Sequence, residues 1–148
     1  LADNAMATAR DDLPPQAPMR PRARVVLISD FLIEPDALAA RLRRFADAGA
    51  SGAILMVTDP SEETLPFSGE TTFVDTDGGP AFYAGDARSL RAAYAKRFQA
   101  HRDAVRRAAQ RVGFIFLQHR TDRPAAEAAL ALAMGLLGSD GMGFEERR

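Results

Sequence analysis

Three short apolar runs, each closed by polar or acidic residues and separated by helix-patterned segments, constrain this chain more than anything else in it. Residues 23–28 (Ala-Arg-Val-Val-Leu-Ile) lead into Ser29-Asp30, Ala53 to Val57 lead into Thr58-Asp59, and Phe114 to Leu117 lead into Gln118-His119. Apolar runs of this length without alternation suit strands buried on both faces, as in a parallel sheet. Between the first two runs, Pro35 suits a first helical turn, and Glu34 and Asp36 complement the positive helix end. Leu38, Leu42 and Phe45 then recur at helical spacing up to a stop at Gly49. The result is a strand–helix–strand unit whose crossover is expected to be right-handed.

The middle of the chain breaks the alternation. Leu65 to Gly69 reads as a turn, Glu70 to Asp75 alternates like a half-exposed strand, and Asp77-Gly78-Gly79-Pro80 precedes the short apolar Ala81-Phe82-Tyr83. An inserted β-hairpin is the natural reading. Residues 87–112 predict one long helix with an apolar stripe through Leu90, Tyr94, Phe98, His101, Val105, Ala108 and Val112, ended by Gly113. On that stripe His101 is expected to be a core or boundary side chain. Pro124 opens a last helix with Thr121 or Asp122 near its cap and Leu130, Met134 and Leu137 expected on its inner face. The expected organisation is an N-terminal helix and Pro-rich linker over 1–21, an α/β domain over 22–138 and a tail over 139–148. Within the first part, Ala2 to Asp12 reads as the helix.

Composition excludes several chemistries. The 148 residues include no cysteine, which removes disulfides, thiolate metal sites and thiol catalysis. No apolar run approaches the ~20 residues of a membrane span, and no secretory signal is visible, so a cytoplasmic location is expected. There is no G-x-x-x-x-G-K-[ST], no G-x-G-x-x-G and no nucleophile elbow. A net charge of -1 argues against bulk nucleic-acid binding. That charge is segregated, however. Phe45 to Ala87 holds no lysine or arginine, whereas Arg88 to Arg111 holds eight and a single acid, Asp103. The long helix is therefore either a solvated basic face or an anion-binding surface through Arg91, Arg102 and Arg106.

Ligands of open parallel sheets bind at the carboxyl ends of the strands. Asp30, Asp59, His119 and Asp122 fall there, and they define a candidate interaction face. The run "VVLISD" from Val25 to Asp30 resembles the fourth strand of a von Willebrand factor type A domain, where the closing aspartate belongs to a metal-ion-dependent adhesion site. The stretch Asp59 to Gly69 ("DPSEETLPFSG") resembles the D-P-x-E-x-x-L-P-x-x-G segment of the bacterial domain of unknown function 58 family. Arg91-Ala92-Ala93-Tyr94 and Thr121-Asp122-Arg123-Pro124 resemble that family's R-x-x-Y and T-D-x-P segments, in the same order and spacing.

The resemblance covers about residues 20–137. It implies a three-layer α/β/α fold with a mostly parallel, Rossmann-like sheet that lacks its first strands here and carries the hairpin as an insertion. It also implies a non-enzymatic adaptor working with a MoxR-type AAA+ ATPase. The adhesion site's D-x-S-x-S strand and its separate threonine have no counterpart in this sequence. Only Asp30, beside Ser29, carries over as a metal ligand, so Mg²⁺ is expected only in a complete domain and no other cofactor is expected. Without preceding strands the first strand has an open edge, which is expected either to mediate self-association or to be buried by Ala2–Asp12 or by a missing partner segment. Two other classes stay open: an Mg-dependent hydrolase or phosphoryl-handling enzyme using the strand-end carboxylates, and an anion or nucleic-acid binder using the Arg-rich helix.

Overall fold

Strand β1 (Arg24–Ser29), helix α1 (Pro35–Asp47) and strand β2 (Ser51–Thr58) form the expected unit in the computed structural model, which describes residues 13–15, 18–64, 66, 71–73, 82–84 and 87–141. The short helix α2 (Pro60–Thr64) follows, then an antiparallel pair, β3 (Thr71–Phe73) and β4 (Phe82–Ala84), with Thr72 opposite Tyr83. Helix α3 (Ala87–Arg111), strand β5 (Ile115–Arg120) and helix α4 (Ala125–Gly141) complete the order. The expected N-terminal helix over Ala2 to Asp12, the turn at Asp77 to Pro80 and residues 142–148 of the expected tail lie outside the described residues, while α4 continues through the expected start of that tail to Gly141.

The main sheet is parallel throughout, in the order β1-β2-β5, with Leu27, Ile54 and Phe116 in register. Residues alternate between its faces. Val25, Ile54 and Met56 join Leu38, Leu42 and Phe45 of α1 and Val105, Ala108 and Ala109 of α3 in one buried cluster. The opposite face, through Leu55, Ile115 and Leu117, meets α4. The protein is thus an α/β structure with helices on both faces of a parallel sheet, and β2 is buried from Gly52 to Met56 because, among the described residues, it alone has strands on both sides.

The two helix-to-strand junctions that lead into the main sheet, α1–β2 and α3–β5, end by the same device. Gly49 and Gly113 take φ of 78° and 75°, and the residues that follow them donate backward, Ala50 N to Phe45 O and Phe114 N to Ala109 O, each at 3.0 Å. This left-handed cap satisfies carbonyls at the helix end and turns the chain into the next strand.

Two expectations need correction. Strand β5 continues through Gln118, His119 and Arg120, because β2 extends to Thr58 and pairs each of them, so His119 lies within the strand and not after it. Helix α4 turns Leu130, Met134 and Leu137 outward, each at least 61% exposed. Its sheet-facing side is built from small residues: Ala128 is buried, and a Cβ on Gly135 would sit 3.3 Å from Ile115 Cδ1. Close approach of helix to sheet selects the small residues for the inside, so helical periodicity alone assigned the stripe to the wrong side. Among the described residues, no helix is long and apolar enough to cross a membrane.

Candidate functional site

The carboxyl ends of the three strands form two distinct arrangements. At the end of β1, the Asp30 carboxylate accepts from Leu32 N at 3.1 Å, and Ser29 Oγ accepts from Phe31 N at 3.2 Å while donating to Asp30 Oδ1 at 3.3 Å. Such side-chain-to-backbone bonds stabilise a turn. Phe31 pays for the turn with a left-handed φ of 52°, a conformation that costs a non-glycine residue about 1–2 kcal/mol. Burial of its ring to 2% exposure and a 2.7 Å bond from His101 Nε2–H to Phe31 O offset that strain. His101 is therefore a structural donor that fixes the strand-end turn, in keeping with its place on the apolar stripe. Leu32 and Asp30 are left facing solvent.

At the ends of β2 and β5 the polar groups are interlocked. Asp59 Oδ1 accepts from Ser61 N at 2.8 Å and from Ser61 Oγ at 2.6 Å, and Glu62 Oε2 accepts from Asp59 N at 3.0 Å. This is a reciprocal cap on α2. Asp59 Oδ2 also accepts from Thr121 Oγ1 at 2.7 Å, and Thr121 N donates to Thr58 O, which clamps the two loops together. Thr58, which is buried, and the exposed Gln118 both donate to Glu63 Oε1, and Arg120 lies 3.8 Å from its other oxygen. Arg120 also pairs with Asp122 at 2.9 Å. The joining residues Glu63, Gln118 and Thr121 are those sequence reasoning underweighted. The D-x-x-E spacing of Asp59 and Glu62 was a readable capping signal, but contacts between separate loops leave no local pattern.

The hydrogen bonds from Ser61 and then Thr121 hold the Asp59 carboxyl at about 2, below its ordinary 3.8. A depressed folded-state value means that the stabilisation is present above pH 3.8 and lost as pH falls through about 2. Denaturant midpoints followed from pH 6 downward should therefore drop in that window, and Asp59→Asn should flatten the drop. Parallel curves for the two proteins would count against the clamp.

The basic candidates on α3 are partly engaged within the fold. Arg106 pairs with Asp103 at 2.9 Å and lies 5.3 Å from the Phe116 ring centroid. Arg102 donates to Gln118 at 3.2 Å and to Gln99, while Arg91 is exposed. His119 lines a cavity of about 430 Å³ at the β5 edge. For the metal implied by the resemblance, Asp30 and Ser29 supply two neighbouring oxygens, and no group of three or more His, Asp or Glu suited to a metal occurs among the described residues. Those residues do not by themselves make a protein cage for Mg²⁺, which binds through carboxylates and retained waters.

The sequence profile of the family described as "Protein of unknown function DUF58" matches residues 3–104. No curated protein matches. Among solved structures, the crystal structure of an uncharacterized membrane spanning protein from Vibrio fischeri is similar over 78% of this chain and 47% of that one, at 18% identity and a TM-score of 0.38. The chain spans about half the length of that protein.

Proposed function

The chain belongs to the DUF58 family, and on that premise we propose that it is a non-enzymatic protein-interaction module whose contact face is centred on the end of β1. The observation that carries the reading is a carboxylate framed by apolar surface. Ile28 and Leu32 are 61% and 56% exposed on either side of Asp30, and Val26 is exposed one pleat earlier. Exposed apolar clusters rimmed by polar groups mark interaction sites. The turn beneath them is held by His101 and by the buried Phe31 ring, so the face is preorganised. Asp59, Glu62 and Glu63 already spend oxygens on caps and on the inter-strand clamp, which favours binding over hydrolytic use of the same carboxylates.

The partner suggested by the four motifs in register is a MoxR-type AAA+ ATPase. Calorimetric titration of such an ATPase into this chain tests the reading, with Ile28→Lys and Asp30→Ala each expected to weaken binding. Affinity that ignores both substitutions contradicts it. A metal contribution would appear as a dependence on Mg²⁺ that Asp30→Ala abolishes. Among the described residues β1 has β2 as its one strand neighbour, with Leu13 to Pro15 lining a groove beside Val26 to Ser29, and this edge is proposed to pair with a second copy when no partner is present. Sedimentation should then show concentration-dependent association that Ile28→Lys suppresses, and a monomer at every concentration overturns that part.

A further inference from the structure

The opposite edge of the sheet carries a second, chemically different site. Among the described residues β5 pairs with β2 alone, so its outer backbone groups have no strand partner. The 430 Å³ cavity straddles this edge. One wall is apolar, from Leu55 and Leu117 of the sheet and Ala128 and Ala131 of α4. The other is polar and includes Arg102, Arg123, Gln118 and Glu63.

Charge in the cavity is unevenly satisfied. Arg120 is neutralised by Asp122 and Glu63. Among the described residues Arg102 has glutamine oxygens as its acceptors and no carboxylate, and its Nε is buried without a hydrogen-bond partner. Arg123 makes no side-chain ion pair among the described residues. Of the two lining carboxylates, Glu63 is already bonded and Glu127 is exposed with no side-chain bond among the described residues. Two guanidinium groups from different elements therefore face one cavity in need of an anion, and guanidinium forks suit carboxylates. The volume lies in the ~300–1,000 Å³ range of ligand pockets, well beyond the needs of a lone inorganic anion. Its apolar wall calls for a hydrocarbon group on the same ligand.

We propose that this cavity at the open edge of β5 binds an extended acidic peptide, with a carboxylate on Arg102 and Arg123 and an apolar side chain against Leu55, Leu117 and Ala131. An extended segment is the occupant that uses the unpaired strand edge and both walls together, as in strand addition to a sheet. This site is separate from the β1 face and stands whether or not the proposal for that face holds.

The test uses the full chain and a fluorescent hexapeptide of alternating aspartate and leucine, followed by anisotropy. The aspartate peptide should bind, and its asparagine counterpart should bind about tenfold or more weakly. Arg123→Gln, an exposed substitution that leaves the fold intact, should weaken the aspartate peptide about tenfold, and Arg102→Gln should do likewise. Inorganic phosphate at matched ionic strength should not displace the peptide. Equal binding of the two peptides, binding unaffected by Arg123→Gln, or displacement by phosphate would each overturn the proposal.

Discussion

Gly52→Ala is expected to destabilise the fold by about 3 kcal/mol or more, at or beyond the upper end of the cost of overpacking. A Cβ at Gly52 would stand 1.9 Å from Val25 O and 2.9 Å from Val25 C. Those atoms are backbone of the neighbouring strand, held in register by the Val25–Gly52 pairing, so no side-chain rotation relieves the contact. Relief requires β1 to move away from β2, which breaks the ladder at the centre of the sheet. Urea or thermal unfolding measures the cost, and Gly138→Ala serves as the control. Gly138 lies in α4 with nothing within 4 Å of its Cβ position, so alanine there should be neutral or stabilise by up to about 1 kcal/mol. Similar behaviour of the two variants would contradict the strand register.

Leu42→Ala should cost about 2–5 kcal/mol, because Leu42 is wholly buried in the cluster joining α1, α3 and the sheet and its removal leaves a cavity. Met134→Ala, at 65% exposure on the outer side of α4, should fall within about 0.5 kcal/mol. The contrast is informative because both are large apolar residues at helical spacing. A cost for Met134→Ala approaching that of Leu42→Ala, at a concentration where the chain is monomeric, would return the stripe to the core and overturn the assignment of α4's faces.

That assignment also marks where the sequence was and was not legible. The strands, the helix stops at Gly49 and Gly113 and the hairpin around Phe73 and Phe82 follow from apolar runs and glycine positions, which are local signals. The outward stripe of α4 was not legible, since the helix is apolar on both sides and periodicity cannot say which side meets the sheet. The small residues Ala128, Ala131 and Gly135 held the answer, once a close helix–sheet approach is considered. In the candidate site, Asp59 acts as the cap its position after a strand suggests. Its second role, gripping Thr121 across 62 residues, depends on strand adjacency that only the register β2–β5 supplies. Likewise, Arg102 reads as one charge of a basic helix in sequence, whereas its packing against Gln118 comes from the docking of α3 on the sheet.

The proposed docking of a protein partner on the end of β1, through Ile28, Asp30 and Leu32, makes a specific prediction for backbone protection. Amide hydrogen exchange of the full chain, alone and with a MoxR-type ATPase, tests it most directly. New protection should concentrate at residues 26–32, leaving the buried α3 positions Val105, Ala108 and Ala109 unchanged. Protection confined to the exposed basic side of α3, or none at saturating ATPase, would contradict it.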